Sequence, residues 1–138
     1  MSAEIVYAGL AERFATIAGI KRVLLGEPSA AHDLPLIYSG LAGFTREQAG
    51  QVTGMRYRFQ HRLVIRYQDS AAAERELLAL IDAVPLAISA DRQLGGRIAS
   101  GLATITEAIT GIAVIGGVSY RIADYTSETL VKRITEGV

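Results

Sequence analysis

The chain has no cysteine. That excludes disulfide frameworks, thiolate-bound zinc, iron–sulfur centres and thiol chemistry. It also has no excess charge of either sign: fourteen basic and fourteen acidic residues give a net charge of zero. No global field therefore draws it to nucleic acid or to a membrane surface. No apolar run approaches eighteen residues, so no membrane-crossing helix is expected. The opening MSAEIVYAGLAERF carries Glu4 and Glu12 where a secretion signal needs a basic stretch, so we expect synthesis in a cytoplasm without a signal peptide. Proline occurs three times, and each instance punctuates: Pro28 in a turn, Pro35 at a strand start or edge, Pro85 at a helix end or kink.

What is present is a chain of 138 residues, enough for one domain spanning 1–138. Half of its residues are hydrophobic and a fifth are charged. A small domain exposes much of its surface, so this composition implies either a generous core or apolar surface covered by a partner. The second is the preferred reading. The bases are twelve arginines and only two lysines, Lys21 and Lys132. Arginine favours interfaces, because its planar fork pairs with carboxylates and stacks on rings. Codon usage in a GC-rich genome would give the same bias.

One stretch organises the rest. In Met55–Gln68, MRYRFQHRLVIRYQ, the odd positions are Met55, Tyr57, Phe59, His61, Leu63, Ile65 and Tyr67. The even positions include Arg56, Arg58, Arg62 and Arg66. Period-two alternation puts the two sets on opposite faces of a strand. Fourteen extended residues span about 45 Å, well beyond an ordinary strand, so a bend or a projecting hairpin is expected.

Around it, Ser2–Ile17 reads as a helix capped by Ser2, with Gly19 as its stop. Lys21–Leu25 reads as a short strand, and Leu34–Leu41 as another. Phe44–Gly54 is polar and bounded by glycine, so it reads as a flexible connection at the tip of a hairpin. Asp69 should cap a helix over Ser70–Ala83, with Leu77, Leu78, Leu80 and Ile81 toward the core. A further helical turn is possible over Leu86–Arg92, then a loop at Leu94–Gly96. Ile98–Ile109 and Gly111–Ile115 are strand-like but of mixed periodicity. Gly116-Gly117 is the best hairpin turn, and Val118–Val131 the returning strand. Consecutive strands without intervening helices predict an α+β fold: a mainly antiparallel sheet, helices packed on one face, and a long central β-hairpin.

The residues point to no particular reaction. Neither glycine pair has the spacing of a phosphate loop, and there is no nucleophile elbow. His32 and His61 have no metal-ligand spacing, so no metal site and no cofactor are expected. His61 reads as a core or interface histidine bonded to a backbone group. The alternative is a general base, which would need a placed partner. Asp82, Asp91 and Asp124 are too scattered to argue a carboxylate pair. The arginine stripe allows three readings: a solvated face balanced by cross-strand acids, a subunit contact through arginine–carboxylate forks, or a contact with nucleic-acid phosphates.

The order of elements resembles the tail terminator, or tail-completion, proteins of long-tailed bacteriophages. The resemblance is carried by LPLIYSG as a first strand with an early proline and by RFQHRLVIRYQD as the long middle strand. The helix ending Leu80-Ile81-Asp82-Ala83-Val84 follows, then Leu94-Gly95-Gly96-Arg97-Ile98 and the closing strand GVSYRIADYTSETLVKR. SAEIVYAGLAERF suits the family's opening helix, while Ala99–Gly111 departs from the pattern. The resemblance implies a non-enzymatic virion protein, assembled in the host cytoplasm and placed at the tail neck. Copies would form a ring, usually sixfold, that caps the tail tube, docks to the head connector and lets DNA pass through its lumen. Arg56, Arg58, Arg62 and Arg66 would then meet acids of a neighbouring subunit or ring, or face the lumen. Within that class the alternative is a connector stopper or a minor tail-tube protein. Outside it stand a small pocket domain using His61 and a nucleic-acid-binding domain using the arginine face.

Overall fold

The computed structural model describes residues 3–49, 52–98 and 101–134. The elements in order are α1 (Ala3–Ala15), β1 (Arg22–Leu25), β2 (Leu36–Ala49), β3 (Val52–Arg66), α2 (Ser70–Leu80), α3 (Ala83–Ser89), β4 (Gly101–Ile115) and β5 (Val118–Ile134). The strands form one sheet in the order β1-β2-β3-β5-β4. Only β1 pairs in parallel, with Leu36–Ser39 of β2; the other pairings are antiparallel. The fold is α+β, with the helices on one face.

The alternation along β3 builds the core. Tyr57, Phe59, His61, Leu63 and Ile65 are all buried beneath the helices. Val6, Leu10 and Phe14 of α1 recur at four-residue steps and close over them. Leu77 of α2 and Val84, Ala87 and Ile88 of α3 complete the layer. Side-chain bonds tie the layers together: Arg13 Nε donates to the Ala87 carbonyl at 2.9 Å, and Tyr125 Oη to the Ile81 carbonyl at 2.8 Å. A second, smaller cluster sits on the other face at one end of the sheet, built from Leu36, Val64, Ile115, Tyr120 and Ile122. Leu24, Ala31 and Leu34 cover it. Gly116, at φ +58°, lies so close to this covering loop that a Cβ there would stand 2.6 Å from the Ser29 carbonyl oxygen.

Several boundaries differ from the sequence reading. Phe44–Ala49 is not a flexible connection: β2 runs on to Ala49, paired with β3 across a bulge between Leu41 and Gly43. Ladder bonds along an extended partner outweigh the polar composition there. The hairpin tip falls at 50–51, outside the described residues, as does the Ser2 cap. α2 stops at Leu80, and a separate α3 follows in place of the turn over Leu86–Arg92. Pro85 lies in the first turn of α3, where its missing N–H leaves no bond unmade. Leu78 is not in the core but 70% exposed, because α2 turns only Ala73 and Leu77 fully inward. Asp69 caps α2 as expected, its carboxylate accepting from the backbone N–H of Ala71 and Ala72. The mixed periodicity of the last third has a physical cause: β4 carries a bulge between Ile105 and Glu107, which reverses the phase of its side chains.

Candidate functional site

The face of the sheet away from the helices carries the arginine stripe. Arg62 stands directly across from Asp124 on β5 and from Tyr38 on β2. Its guanidinium forks onto the Asp124 carboxylate at 2.6 and 2.9 Å, and Nη1 donates to the Tyr38 hydroxyl at 3.1 Å. That hydroxyl in turn donates to Glu27 at 3.3 Å. The bond to Asp124 pushes the Arg62 pKa above its ordinary value. Burial raises the Tyr38 pKa, and Arg62 works against that rise. Arg56 pairs with Glu128 at 3.6 Å. Arg58 lies across the ladder from Glu128 and reaches over Gly43 toward β2. Arg66 is exposed at the strand end. Neither Arg58 nor Arg66 forms an ion pair among the described residues.

Two of the four arginines are thus answered by acids of their own chain. Asp124 and Glu128 sit on β5, which pairs with β3 along the whole of β3, so these two pairs fit the expected face balanced by cross-strand acids. Arg62→Ala, Asp124→Ala and the double variant form a thermodynamic cycle. The expected coupling is about 1 kcal/mol, the upper end for a bidentate pair that solvent partly screens. It should shrink in high salt, as read from denaturant midpoints.

Beneath the helices lies a second polar group. The His61 ring bonds to Ser39 Oγ through Nδ1 at 2.7 Å and to Ser127 Oγ through Nε2 at 2.7 Å. All three side chains are essentially inaccessible, at 1%, 1% and 0% exposure. Phe14 meets the ring edge-on, 4.8 Å between centroids, and Phe59 stacks at 6.1 Å. Burial lowers the His61 pKa to about 3. The ring is therefore neutral, with one nitrogen donating and the other accepting. In place of the expected backbone partner, His61 has two serine hydroxyls from flanking strands. A serine–histidine pair can activate a nucleophile. Here hydroxyl and imidazole are sealed in the core, so the arrangement ties β2, β3 and β5 together. Ser39 and Ser127 are polar residues at inward positions of their strands, beside the buried Ile37 and Tyr125.

A groove of about 520 Å³ runs between α3 and β4 past Asp82, Pro85, Leu86 and Arg92. Two of its polar side chains, Arg92 and Ser89, are committed locally. Arg92 Nε donates to the Ala103 carbonyl at 3.2 Å, and Ser89 Oγ to the Leu86 carbonyl at 3.2 Å. Among the described residues no group of three or more metal-binding side chains comes together, and no helix is long and apolar enough to cross a membrane.

The edges of the sheet stand out more than any cleft. β4 is an outer strand fifteen residues long whose single charge is Glu107. Leu102, Ile109, Ile112 and Val114 are all about half exposed or more. On the opposite side, β1 covers only Leu36–Ser39, so β2 is an open edge from Gly40 to Ala49, with Leu41 and Phe44 exposed. Long open edges with apolar side chains invite pairing with another chain. No protein-family model and no curated protein matches this sequence.

Proposed function

We propose that this protein is a structural subunit that closes a ring with copies of itself, a tail terminator of a long-tailed phage without enzymatic activity. The observation that carries the reading is the apolar edge strand β4, open along its second half, on a sheet whose opposite edge is also largely open. An edge on each side gives a subunit two different contact surfaces. Heterologous contacts of that kind form a ring when the rotation closes. The apolar composition finds its use in such contacts. The order of elements that resembles the terminators supplies the rest: a sixfold ring on the head end of the tail tube, docked to the head connector, in the virion neck.

The test is native mass across a concentration series. A closed species at six times the 14.7 kDa subunit mass, or a climb toward one with concentration, is expected. A monomer at every concentration, stabilised by a small molecule or by DNA, would replace this reading with the pocket or nucleic-acid alternative.

A further inference from the structure

The geometry points to the contact that builds the ring: the outer edge of β4 on one copy pairs antiparallel with the outer edge of β2 on the next. This rests on the ring reading above and adds the residues that meet.

The backbone phases come first. Ile115 and Val118 flank the two-residue Gly116-Gly117 turn, and such flanking residues form a hydrogen-bonded pair. Alternate residues back along β4 then send their N–H and C=O groups outward: Val114, Ile112, Thr110 and Ala108. Farther back the edge is already occupied. Ala103 donates to the Arg92 carbonyl at 2.8 Å and accepts from the Arg92 side chain. The open ladder is therefore the second half of β4. On β2 the phase is read from Ser39, which turns its carbonyl outward on the β1 side. The outward residues there are Gln48, Arg46 and Phe44. Beyond the bulge the phase resumes at Leu41 and then at Ser39, whose carbonyl takes the Gly26 N–H at 2.7 Å.

The direction fits as well. β2, β3, β5 and β4 alternate, so β4 runs opposite to β2. Two copies in the same orientation place β4 against β2 antiparallel without inverting either. The outward residues of both edges lie on the helix side of the sheet, so the helices of successive copies stay on one side.

The apolar side chains then select a register. Phe44 is 58% exposed and Ile112 is 55% exposed. Setting Phe44 across from Ile112 carries the β2 bulge past one residue of β4 and brings Leu41 across from Val114. Arg46 then meets Thr110. In this register the four exposed apolar side chains cover one another in pairs. A two-fold pairing of β4 with β4 would fill the same backbone ladder, yet leave Leu41 and Phe44 in water.

The natural absence of cysteine makes the test clean. Directly paired residues lie about 5.5 Å apart at Cα, within disulfide reach. Phe44→Cys and Ile112→Cys proteins, mixed and oxidised, are expected to give covalent dimers that neither variant gives alone. The double variant should give a ladder ending at the ring number. Dimers from Ile112→Cys alone would establish the two-fold contact and overturn the proposal. A ring by native mass with neither cross-link would overturn this interface while leaving the ring reading intact. A monomer in every preparation would overturn both. As a second probe, Ile112→Lys and Phe44→Glu should each raise the half-assembly concentration about tenfold or more. Combining them should restore assembly. Failure of that rescue in folded protein, as judged by an unchanged melting transition, would count against the contact.

Discussion

Replacing His61 by alanine should destabilise the fold by about 3–5 kcal/mol, measured by denaturant unfolding at neutral pH. Two costs add. A buried ring packed between Phe14 and Phe59 leaves a cavity. The Ser39 and Ser127 hydroxyls also lose their partner inside the core. The combined variant His61→Leu, Ser39→Ala, Ser127→Ala removes all three polar groups at once. It should be more stable than His61→Ala, because the Ser39 and Ser127 hydroxyls that lose their partner are removed with it. The acid limb carries the sign. The folded His61 protonates only near pH 3, whereas the unfolded one does so near its ordinary value of 6.5. Between those values the unfolded chain binds the extra proton. The contribution of His61 to stability is therefore flat above 6.5 and falls by about 1.4 kcal/mol per unit as the pH drops toward 3. Subtracting the curve of the triple variant isolates that slope from the carboxylates. An identical acid limb in both proteins would show that the histidine is not held neutral in the core.

Gly101→Val should cost about 3 kcal/mol, as a shift of the unfolding midpoint at unchanged slope. A Cβ on Gly101 would fall on the Leu130 carbonyl oxygen, with Val131 Cα at 3.1 Å. Both are backbone atoms, so no rotamer change relieves the clash. β4 would have to shift against β5 at the start of its ladder. Gly40→Ala is the control. A Cβ there meets nothing within 4 Å, and a change within about 0.5 kcal/mol is expected. Equal, small effects at both positions would mean that the β4–β5 approach at Gly101 is looser than described.

How much of this was legible in the sequence depended on period. β3 was readable almost to its ends, because its alternation from Met55 to Ile65 is undisturbed. α2 was readable from its Asp69 cap. β4 was not, because the bulge at Ile105–Glu107 superposes two phases in one strand. The second half of β2 looked like a loop, since Thr45–Gln48 is polar on both faces and only pairing with β3 makes it a strand. The arginine stripe was visible as a stripe. Its partners Asp124 and Glu128 were not, because register across sixty residues of sequence is set by the whole sheet. The same limit hid the edges. Which strand ends up outermost is a property of topology, so the exposed apolar side of β4 emerges only once β5 is seen lying between β3 and β4.

The most direct measurement is electron microscopy of the purified protein at concentrations where its native mass exceeds that of a monomer. Closed, single-layer rings of one copy number with a central channel are expected, because a terminator must close and must not grow. Open filaments, stacked tubes or particles without a channel would contradict a tail terminator.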